Sequence, residues 1–201
     1  MIRWLLFGFL LLTSLYTIES QAYNDSSACP RIQVCFTPGQ DCTTQITNAL
    51  DSAKKSIFVQ AYSFTSALIA KHLIIAKNRG VAVSVILDKS QKSQRYSASR
   101  SLLNHHIPVW IDYKPAIAHN KVMIIDGKEV ITGSFNFTQA AQNSNAENLL
   151  IIQDAALAKH YMENWQRRRE VSEVLRCNFV SQKTKSKPNP DHRHSLFAFR
   201  F

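Results

Sequence analysis

The chain has 201 residues, of which 45% are hydrophobic and 19% are charged, and this composition excludes an intrinsically disordered or collagen-like protein. Its length is enough for one substantial domain but short for two. Lysine and arginine number 24 against 14 acidic residues, so the formal net charge of +10 indicates an anionic partner, such as nucleic acid or an anionic membrane surface.

Residues 1–22 have the pattern of a signal peptide. A short basic start is followed by an apolar run at residues 4–18, and residues 20–22 include small side chains suited to cleavage. The run is shorter than the ~20 residues that span a bilayer. We therefore predict a periplasmic or secreted protein. The alternative is an uncleaved N-terminal membrane anchor, because the run is long for the apolar part of a signal peptide.

Four cysteines follow the predicted cleavage point, as expected for a chain that meets an oxidising compartment: Cys29, Cys35, Cys42 and Cys177. Three pairings are possible. Cys35 and Cys42 flank a turn and are the easier pair to close, which would leave Cys29 with Cys177. The alternative is a zinc site, but the cysteine spacing does not match that of structural zinc sites and no histidine is near. We predict two disulfides and no metal.

The first half of the predicted domain alternates strands with helices. Residues 31–36 alternate polar and apolar side chains and predict a strand, after which Asp41 can cap a helix. Residues 56–64 are rich in strand-forming residues. Ser66 can cap a second helix, which Gly80 is expected to end.

The second half continues the alternation. Residues 81–87 predict a nearly continuous apolar strand, which is typical of a sheet covered on both faces. A helix around 97–104, a strand at 107–111 and a final helix from about 154 to 174 follow. The order of elements predicts one α/β domain, an α/β/α sandwich around a mixed β-sheet.

Between these elements, two runs of strand-forming residues flank the pair Asp126-Gly127. This dipeptide is the strongest short-range signal for a two-residue hairpin turn. In such a hairpin, positions whose numbers sum to 253 face each other, as Ile125 and Lys128 would. Asp126 is then a turn residue, and we expect its role to be structural.

The same register predicts a polar cluster at the open end of the hairpin. Lys121 faces Thr132 and His119 faces Ser134, with Asn136 two residues further on the same face. Buried polar groups normally have partners. An imidazole, an ammonium, a hydroxyl and an amide without such partners would suit a phosphate.

The combined pattern H-x-K-x4-D-x6-G-S-x-N, residues 119–136, resembles the signature of the phospholipase D superfamily. Residues 59–65 and 146–150 are similar to their counterparts in the small, single-motif, Nuc-type bacterial endonucleases of that superfamily. The resemblance extends from about residue 33 to residue 165. The signal segment and the basic C-terminal tail lie outside this range, and the four cysteines are not part of the resemblance.

The resemblance implies a phosphodiesterase that needs no metal and no cofactor. His119 would attack phosphorus and form a covalent phosphohistidine. Lys121 and Asn136, with help from Ser134, would stabilise negative charge on the non-bridging oxygens. Glu147 would accept a hydrogen bond from the ring of His119 and orient it. In this family the Asp of the motif is usually structural, which agrees with the turn position.

This two-step chemistry needs a second histidine, as general acid for the leaving oxygen and then as base for water. The chain has a single H-x-K. Single-motif members of the family resemble half an enzyme, and they complete the site across a twofold axis. We therefore expect a homodimer with two copies of His119 on either side of one phosphate.

These observations predict a signal peptide at residues 1–22, a phospholipase D-like nuclease domain at 23–180 and a basic tail at 181–201. The predicted function is an endonuclease that binds the phosphate backbone of DNA, with RNA as a further candidate substrate. Seven cations are candidates to extend the site: Lys54, Lys55, Arg79, Lys89, Lys92, Arg95 and Arg100. The alternatives are a phospholipase D-type lipid phosphodiesterase and a non-catalytic protein that binds nucleic acid or anionic membranes through its basic tail and residues 167–169.

Overall fold

A computed structural model of the chain describes residues 29–176. The predicted signal peptide, Cys177 and the basic tail lie outside the described residues. The strands and helices, in chain order, are β1 Arg31–Thr37, α1 Cys42–Ser52, β2 Ser56–Ala61, α2 Ala67–Asn78, β3 Ala82–Asp88, a 3₁₀ helix Lys89–Lys92, α3 Ser99–Asn104, β4 Val109–Asp112, β5 Lys121–Ile125, β6 Glu129–Gly133, α4 Gln139–Asn143, β7 Glu147–Gln153, α5 Ala155–Glu170 and β8 Glu173–Val174.

The eight strands form one mixed sheet in the order β1-β7-β6-β5-β2-β3-β4-β8. Strands β2, β3 and β4 are parallel, and all other neighbouring pairs are antiparallel. Helices α1, α2 and α3 pack on one face in the larger apolar core, and α5 packs on the other face. The predicted α/β/α sandwich around a mixed sheet is therefore confirmed.

The helix boundaries follow from local side-chain chemistry. The Asp41 carboxylate accepts a hydrogen bond from the N–H of Thr44 at 2.9 Å, and the Ser66 hydroxyl accepts one from the N–H of Ile69 at 3.3 Å. Both residues cap helices as predicted. Gly80 follows α2 with a φ of +92°, a conformation that glycine adopts without strain.

The predicted hairpin exists, but its register is wrong by one residue. Asp126 and Gly127 both have positive φ, and the N–H of Lys128 donates to the carbonyl oxygen of Ile125 at 3.1 Å, as in a two-residue turn. The ladder, however, pairs Ile125 with Glu129, so paired positions sum to 254.

The physical reason lies outside the hairpin. The carbonyl oxygen of Lys128 accepts a hydrogen bond from the N–H of Asp154, so Lys128 is an extra residue on the second strand. Extending this register, Gly133 and not Thr132 lies opposite Lys121. The predicted pairing of His119 with Ser134 is therefore wrong.

The last helix is shorter than predicted. Helix α5 ends at Glu170, and residues 173–174 pair with β4 as strand β8. Near the end of α5, the Arg168 guanidinium makes two hydrogen bonds to the buried carboxylate of Asp112, at 2.7 and 2.8 Å. Trp165, also in α5, donates from Nε1 to the carbonyl oxygen of Val59 at 2.9 Å. These contacts fasten the helix to the sheet.

One of the two predicted disulfides is present. Cys35 and Cys42 are bonded, with their Cα atoms 5.7 Å apart, and link the end of β1 to the start of α1. Cys29 is exposed and is not bonded to any residue in the range 29–176. Its predicted partner, Cys177, lies beyond that range.

The face that carries α5 is not fully covered. Helix α5 packs against β6, β5, β2 and β4, so the β1 end of this face is open. Three β1 side chains there are exposed, Ile32 by 58%, Val34 by 48% and Phe36 by 55%, and their β7 neighbours Leu150 and Ile152 are half-buried. We call these five residues the apolar strip. Across residues 29–176, no helix has the length and apolar character needed to span a membrane.

Candidate active site

Most of the predicted site residues meet at one edge of the sheet. This edge holds the last residues of β2 and β6 and the first residues of β5 and β7, because β5 and β7 run antiparallel to their neighbours. Lys121 opens β5, Glu147 opens β7, and Ser134 directly follows β6. A backbone hydrogen bond of 2.7 Å from Tyr62 to Asn120 joins the end of β2 to the residue between His119 and Lys121.

His119 is exposed at this edge. Its ring lies against the ring of Tyr62, with centroids 4.6 Å apart and planes inclined by 56°. The aromatic contact holds one side of the imidazole, and the rest of the ring faces solvent. A histidine in this position can reach a phosphorus atom on a bound substrate.

Lys121 has the opposite environment, with only 7% of its surface exposed. Its Nζ donates to the carbonyl oxygen of His119 at 2.9 Å and lies 5.3 Å from the centre of the Tyr62 ring. Burial lowers the pKa of the Lys121 ammonium, and the carboxylate of Glu147 acts in the opposite direction. The ammonium is therefore fixed in place and weakly hydrated, which strengthens its attraction for an anion.

Glu147 is part of a hydrogen-bonded group at the start of β7. Its carboxylate accepts from the Ser134 hydroxyl at 2.6 Å and from the side-chain amide of Asn145 at 2.9 Å. Both carboxylate oxygens thus have partners, and neither is His119. The predicted hydrogen bond between His119 and Glu147 is absent from the described part of the chain, so the orienting role of Glu147 stays a prediction.

Ser134 is held by β7 as well as by Glu147. The N–H of Asn148 donates to the Ser134 hydroxyl oxygen at 3.0 Å, and the N–H of Ser134 donates to the carbonyl oxygen of Asn148 at 3.1 Å. This close approach requires glycine before Ser134. Gly133 has a φ of +146°, and a Cβ on it would overlap the Asn148 carbonyl oxygen.

Asn136 is the remaining amide of the predicted cluster. Its side-chain oxygen is buried and has no hydrogen-bond partner among the described residues. Its neighbour Phe137 exchanges backbone hydrogen bonds with the segment after β2, donating to Ser63 at 3.2 Å and accepting from Thr65 at 3.0 Å. The side chain of Asn136 is thus held beside the site with an unused acceptor oxygen.

Asp126 lies at the other end of β5, away from His119. Its carboxylate accepts hydrogen bonds from the backbone N–H groups of Lys54, Lys55 and Ser56, at 2.7 to 3.2 Å. Burial acts to raise the pKa of Asp126, but these backbone hydrogen bonds outweigh it, and the pKa lies below its usual value. The arrangement agrees with the structural role expected for this residue.

The seven candidate cations divide between the two ends of the sheet. Lys54 and Lys55 lie beside Asp126, and Arg79 donates to the carbonyl oxygen of Leu50 at the end of α1, so these three are remote from His119. The other four follow β3 at the edge that holds the site: Lys89, Lys92, Arg95 and Arg100. Arg168, within the basic run of α5, is engaged by Asp112 and is not a free anion-binding group.

Two site residues were not predicted as such. Tyr62 lies within residues 59–65, which resemble the Nuc-type endonucleases, so this resemblance is the signal that could have identified it. Asn145 had no signal, because its contact with Glu147 depends on the turn between α4 and β7. In residues 29–176, no group of three or more His, Cys, Asp or Glu side chains is arranged to hold a metal ion.

The chain is similar to known proteins of one family. Residues 46–169 match the family model described as "Cardiolipin synthase, PLD-like domain". The chain is 47% identical over 157 residues to a protein of Rickettsia conorii named phospholipase D, with 78% of each chain covered. It is 32% identical over 131 residues to a protein of Xenopus laevis named mitochondrial cardiolipin hydrolase, with 65% of this chain and 62% of that protein covered.

Solved structures extend the comparison. The crystal structure of Nuc, a phospholipase D family member from Salmonella typhimurium, matches with a TM-score of 0.71 and 40% identity, and covers 74% of this chain and 99% of Nuc. NucT from Helicobacter pylori matches with a TM-score of 0.69 at 24% identity, over 73% of this chain and 100% of NucT, which shows a shared fold. All six predicted site residues lie within the region matched by the family model: His119, Lys121, Asp126, Ser134, Asn136 and Glu147.

Proposed function

The chain belongs to the phospholipase D-like family of phosphodiesterases, and from this premise we propose that it is a metal-independent endonuclease that cleaves DNA or RNA through a phosphohistidine intermediate. The observation that carries the proposal is the pair formed by the exposed ring of His119 and the buried ammonium of Lys121. One is accessible to a phosphorus atom, and the other is a fixed positive charge two residues away.

In the first step, a ring nitrogen of His119 attacks phosphorus and the leaving oxygen departs with a proton from a second imidazole. In the second step, water attacks phosphorus and gives a proton to the second imidazole, and the bond between phosphorus and His119 breaks, which releases the phosphate product and restores the His119 ring. Negative charge on the non-bridging oxygens is stabilised by the ammonium of Lys121 and by the side-chain NH2 of Asn136, which is a hydrogen-bond donor. The Ser134 hydroxyl, held by Glu147, contributes to the same cradle.

The second imidazole belongs to another copy of the chain. The apolar strip supports this homodimer, because a contiguous apolar surface on a folded protein favours association. Phe36, at one end of the strip, pairs with Asn148, which is hydrogen-bonded to Ser134. The strip lies on the α5 face and the side chain of Lys121 lies on the opposite face, so a second copy would have to extend from the strip around this edge for its own His119 to reach the site.

Charge favours nucleic acid as the substrate. Lys89, Lys92 and Arg95 are exposed beside the site, and phosphate backbones are bound chiefly through such side chains. A phospholipase D-type lipid phosphodiesterase is the second candidate, since the same groups act on any accessible phosphodiester. The observation that favours it is the apolar strip, which would also suit a lipid surface.

We further propose that residues 1–22 are a signal peptide, that residues 23–180 form the catalytic domain and that the protein is periplasmic or secreted. The Cys35–Cys42 disulfide supports an oxidising compartment. The alternative is retention of the N-terminal segment as a membrane anchor.

The test is a side-by-side assay of plasmid DNA, RNA and phospholipid vesicles with EDTA present. We expect the nucleic acids to be cleaved, the cleavage to weaken steeply with added salt, and the His119→Ala variant to be inactive. Hydrolysis of phospholipid alone would select the lipid alternative. Loss of all activity on chelation, restored by a divalent ion, would exclude the phosphohistidine route.

A further inference from the structure

A segment that projects from the site edge is anchored at both of its ends to a single residue. The side chain of Gln91, which is buried, accepts a hydrogen bond from the N–H of Phe64 at 3.2 Å. The N–H of Ala98 donates to the carbonyl oxygen of the same Phe64 at 2.8 Å. Phe64 follows Tyr62, the residue in contact with His119, by two positions. Residues 92–97, which we call the basic segment, therefore start and end beside the site.

A second set of contacts fixes the base of this segment from the other side. The carboxylate of Asp88 accepts a hydrogen bond from the N–H of Ala118 at 2.8 Å, immediately before His119. Lys89 Nζ donates to the carbonyl oxygen of Pro115 at 3.2 Å. The segment is thus held in a defined position relative to His119, and its residues 92–96 are exposed.

The outer residues combine cations with an aromatic ring. Tyr96 is 68% exposed, and the Arg95 guanidinium lies 5.4 Å from the centre of its ring. Lys92 is also exposed, with Nζ 5.5 Å from the centre of the Tyr113 ring. An exposed ring next to cations is the arrangement that binds single-stranded nucleic acid, in which bases stack on aromatic side chains while cations follow the backbone.

We propose that the basic segment binds single-stranded nucleic acid, with an unpaired base stacked on Tyr96 and adjacent phosphates held by Lys92 and Arg95. This inference rests on the proposed nuclease function and narrows its substrate. A strand cut at His119 continues across the segment and presents its bases to the ring. Duplex nucleic acid satisfies the cations, but its bases are paired and stacked within the helix, so Tyr96 gains nothing from it.

Stacking and charge can be separated by experiment. The experiment measures, by fluorescence anisotropy, the binding of a labelled oligodeoxythymidine of about 12 residues, a length within the usual range of single-strand sites. The variants are made in the His119→Ala background, where the strand is not cut. We expect Tyr96→Ala to weaken binding about tenfold and Tyr96→Phe to keep it, since stacking needs the ring and not the hydroxyl. Neither variant should change affinity for a duplex of equal length.

Salt dependence tests the cations. Removing one phosphate contact lowers the slope of log affinity against log salt by about 0.7 for a single strand. Lys92→Ala and Arg95→Ala should each reduce the slope, whereas Tyr96→Ala should leave it unchanged. Lys128→Ala is the matched control, because Lys128 is exposed at the opposite end of β5.

Three results would overturn the inference: equal losses on single strand and duplex in Tyr96→Ala, a Tyr96→Phe variant as weak as Tyr96→Ala, or unchanged oligonucleotide binding together with reduced binding to phosphatidylglycerol vesicles. The proposed nuclease function fails independently, if the unmodified chain cleaves neither DNA nor RNA. An active nuclease with an indifferent Tyr96 would therefore retain the proposed function and remove only this inference.

Discussion

His119 and Lys121 are two residues apart and have opposite solvent environments. His119 is exposed and contacts Tyr62, whereas Lys121 is almost fully buried and is bonded to the His119 carbonyl oxygen. His119→Ala should abolish turnover, because it removes the proposed nucleophile. It should leave the chain folded, because the exposed His119 ring contributes little packing. Truncating Lys121 removes a fixed charge, and Lys121→Met should lower kcat by about 10²-fold or more.

The buried ammonium also predicts a particular pH dependence. Burial lowers the pKa of Lys121, so activity should fall with rising pH before an ordinary lysine, with a pKa of about 10.4, would lose its proton. Glu147 raises the pKa of Lys121, so Glu147→Gln should move this fall to lower pH, and Lys121→Arg should remove it. The measurement is kcat/KM against pH with a chromogenic phosphodiester. A fall at the same pH in all three proteins would contradict this assignment.

Gly133 gives a second prediction for a single residue. Its φ of +146° and its closeness to the Asn148 carbonyl oxygen exclude a Cβ without a shift of the backbone. Gly133→Ala should therefore lower the free energy of unfolding by about 1–3 kcal/mol and displace Ser134. Gly127→Ala is the control: φ is +65° with nothing within 4 Å, so some stability should be lost and activity kept. Urea unfolding and the activity per folded molecule distinguish the two.

Most residues of the site could be predicted from the sequence, because the motif of residues 119–136 specifies them by residue type and spacing. The contacts among them were not. The Ser134 hydroxyl bonds Glu147, 13 positions away, and Tyr62 reaches His119 across 57 positions, so neither contact leaves a local pattern in the sequence.

At the scale of strands and helices, the sequence predicted the alternation of the main strands and helices and most of their boundaries, but not the 3₁₀ helix, α4 or β8. Capping residues such as Asp41 and Ser66 act within one helical turn, so they are readable locally. The hairpin register failed because the carbonyl oxygen of Lys128 is bonded to Asp154, which belongs to a connection 26 residues away. Similarly, the predicted final helix is too long, because nothing local to residues 171–174 indicates that residues 173–174 pair with β4.

Asp126 connects two elements and gives the prediction at this scale. Its carboxylate holds the backbone at the start of β2 from the β5–β6 turn. Asp126→Ala should lower the free energy of unfolding by about 1–2 kcal/mol, while the folded fraction keeps its kcat.

The pH dependence of that stability follows from the pKa of Asp126, which is lowered in the folded chain. Its contribution is present above the unfolded pKa of about 3.9 and is lost as pH falls through the lower, folded value. The stability difference between Asp126→Ala and the unmodified chain should therefore shrink in acid. A difference that stays constant down to pH 2–3, or a large drop in kcat, would argue against a purely structural role.

For the whole molecule, the decisive question is how many chains make one site. In a mixed dimer of unmodified and His119→Ala chains, the proposed mechanism would have one imidazole in place of the two that it requires. Equal mixing with full subunit exchange should leave about one quarter of the activity, because only dimers of two unmodified chains work. Activity of about one half would mean that each chain acts alone.

The apolar strip gives a separate prediction for the whole molecule. Phe36→Glu places a charge within the strip and should convert the dimer to a monomer in a measurement of molecular mass in solution. The control is Tyr96→Ala, because Tyr96 is exposed and lies off the strip.

If the proposed homodimer forms through the apolar strip, the activity of the enzyme depends on the local concentration of the chain. If only a paired chain can cut, then at high dilution the rate rises with the square of chain concentration, and halving the concentration leaves about a quarter of the cutting. Secreted chains would then lose their activity as they are diluted, and chains that stay concentrated near the cell would keep it. Dimerisation through the exposed face of β1 would then restrict phosphodiester cleavage to the region around the cell where the concentration of the chain is high.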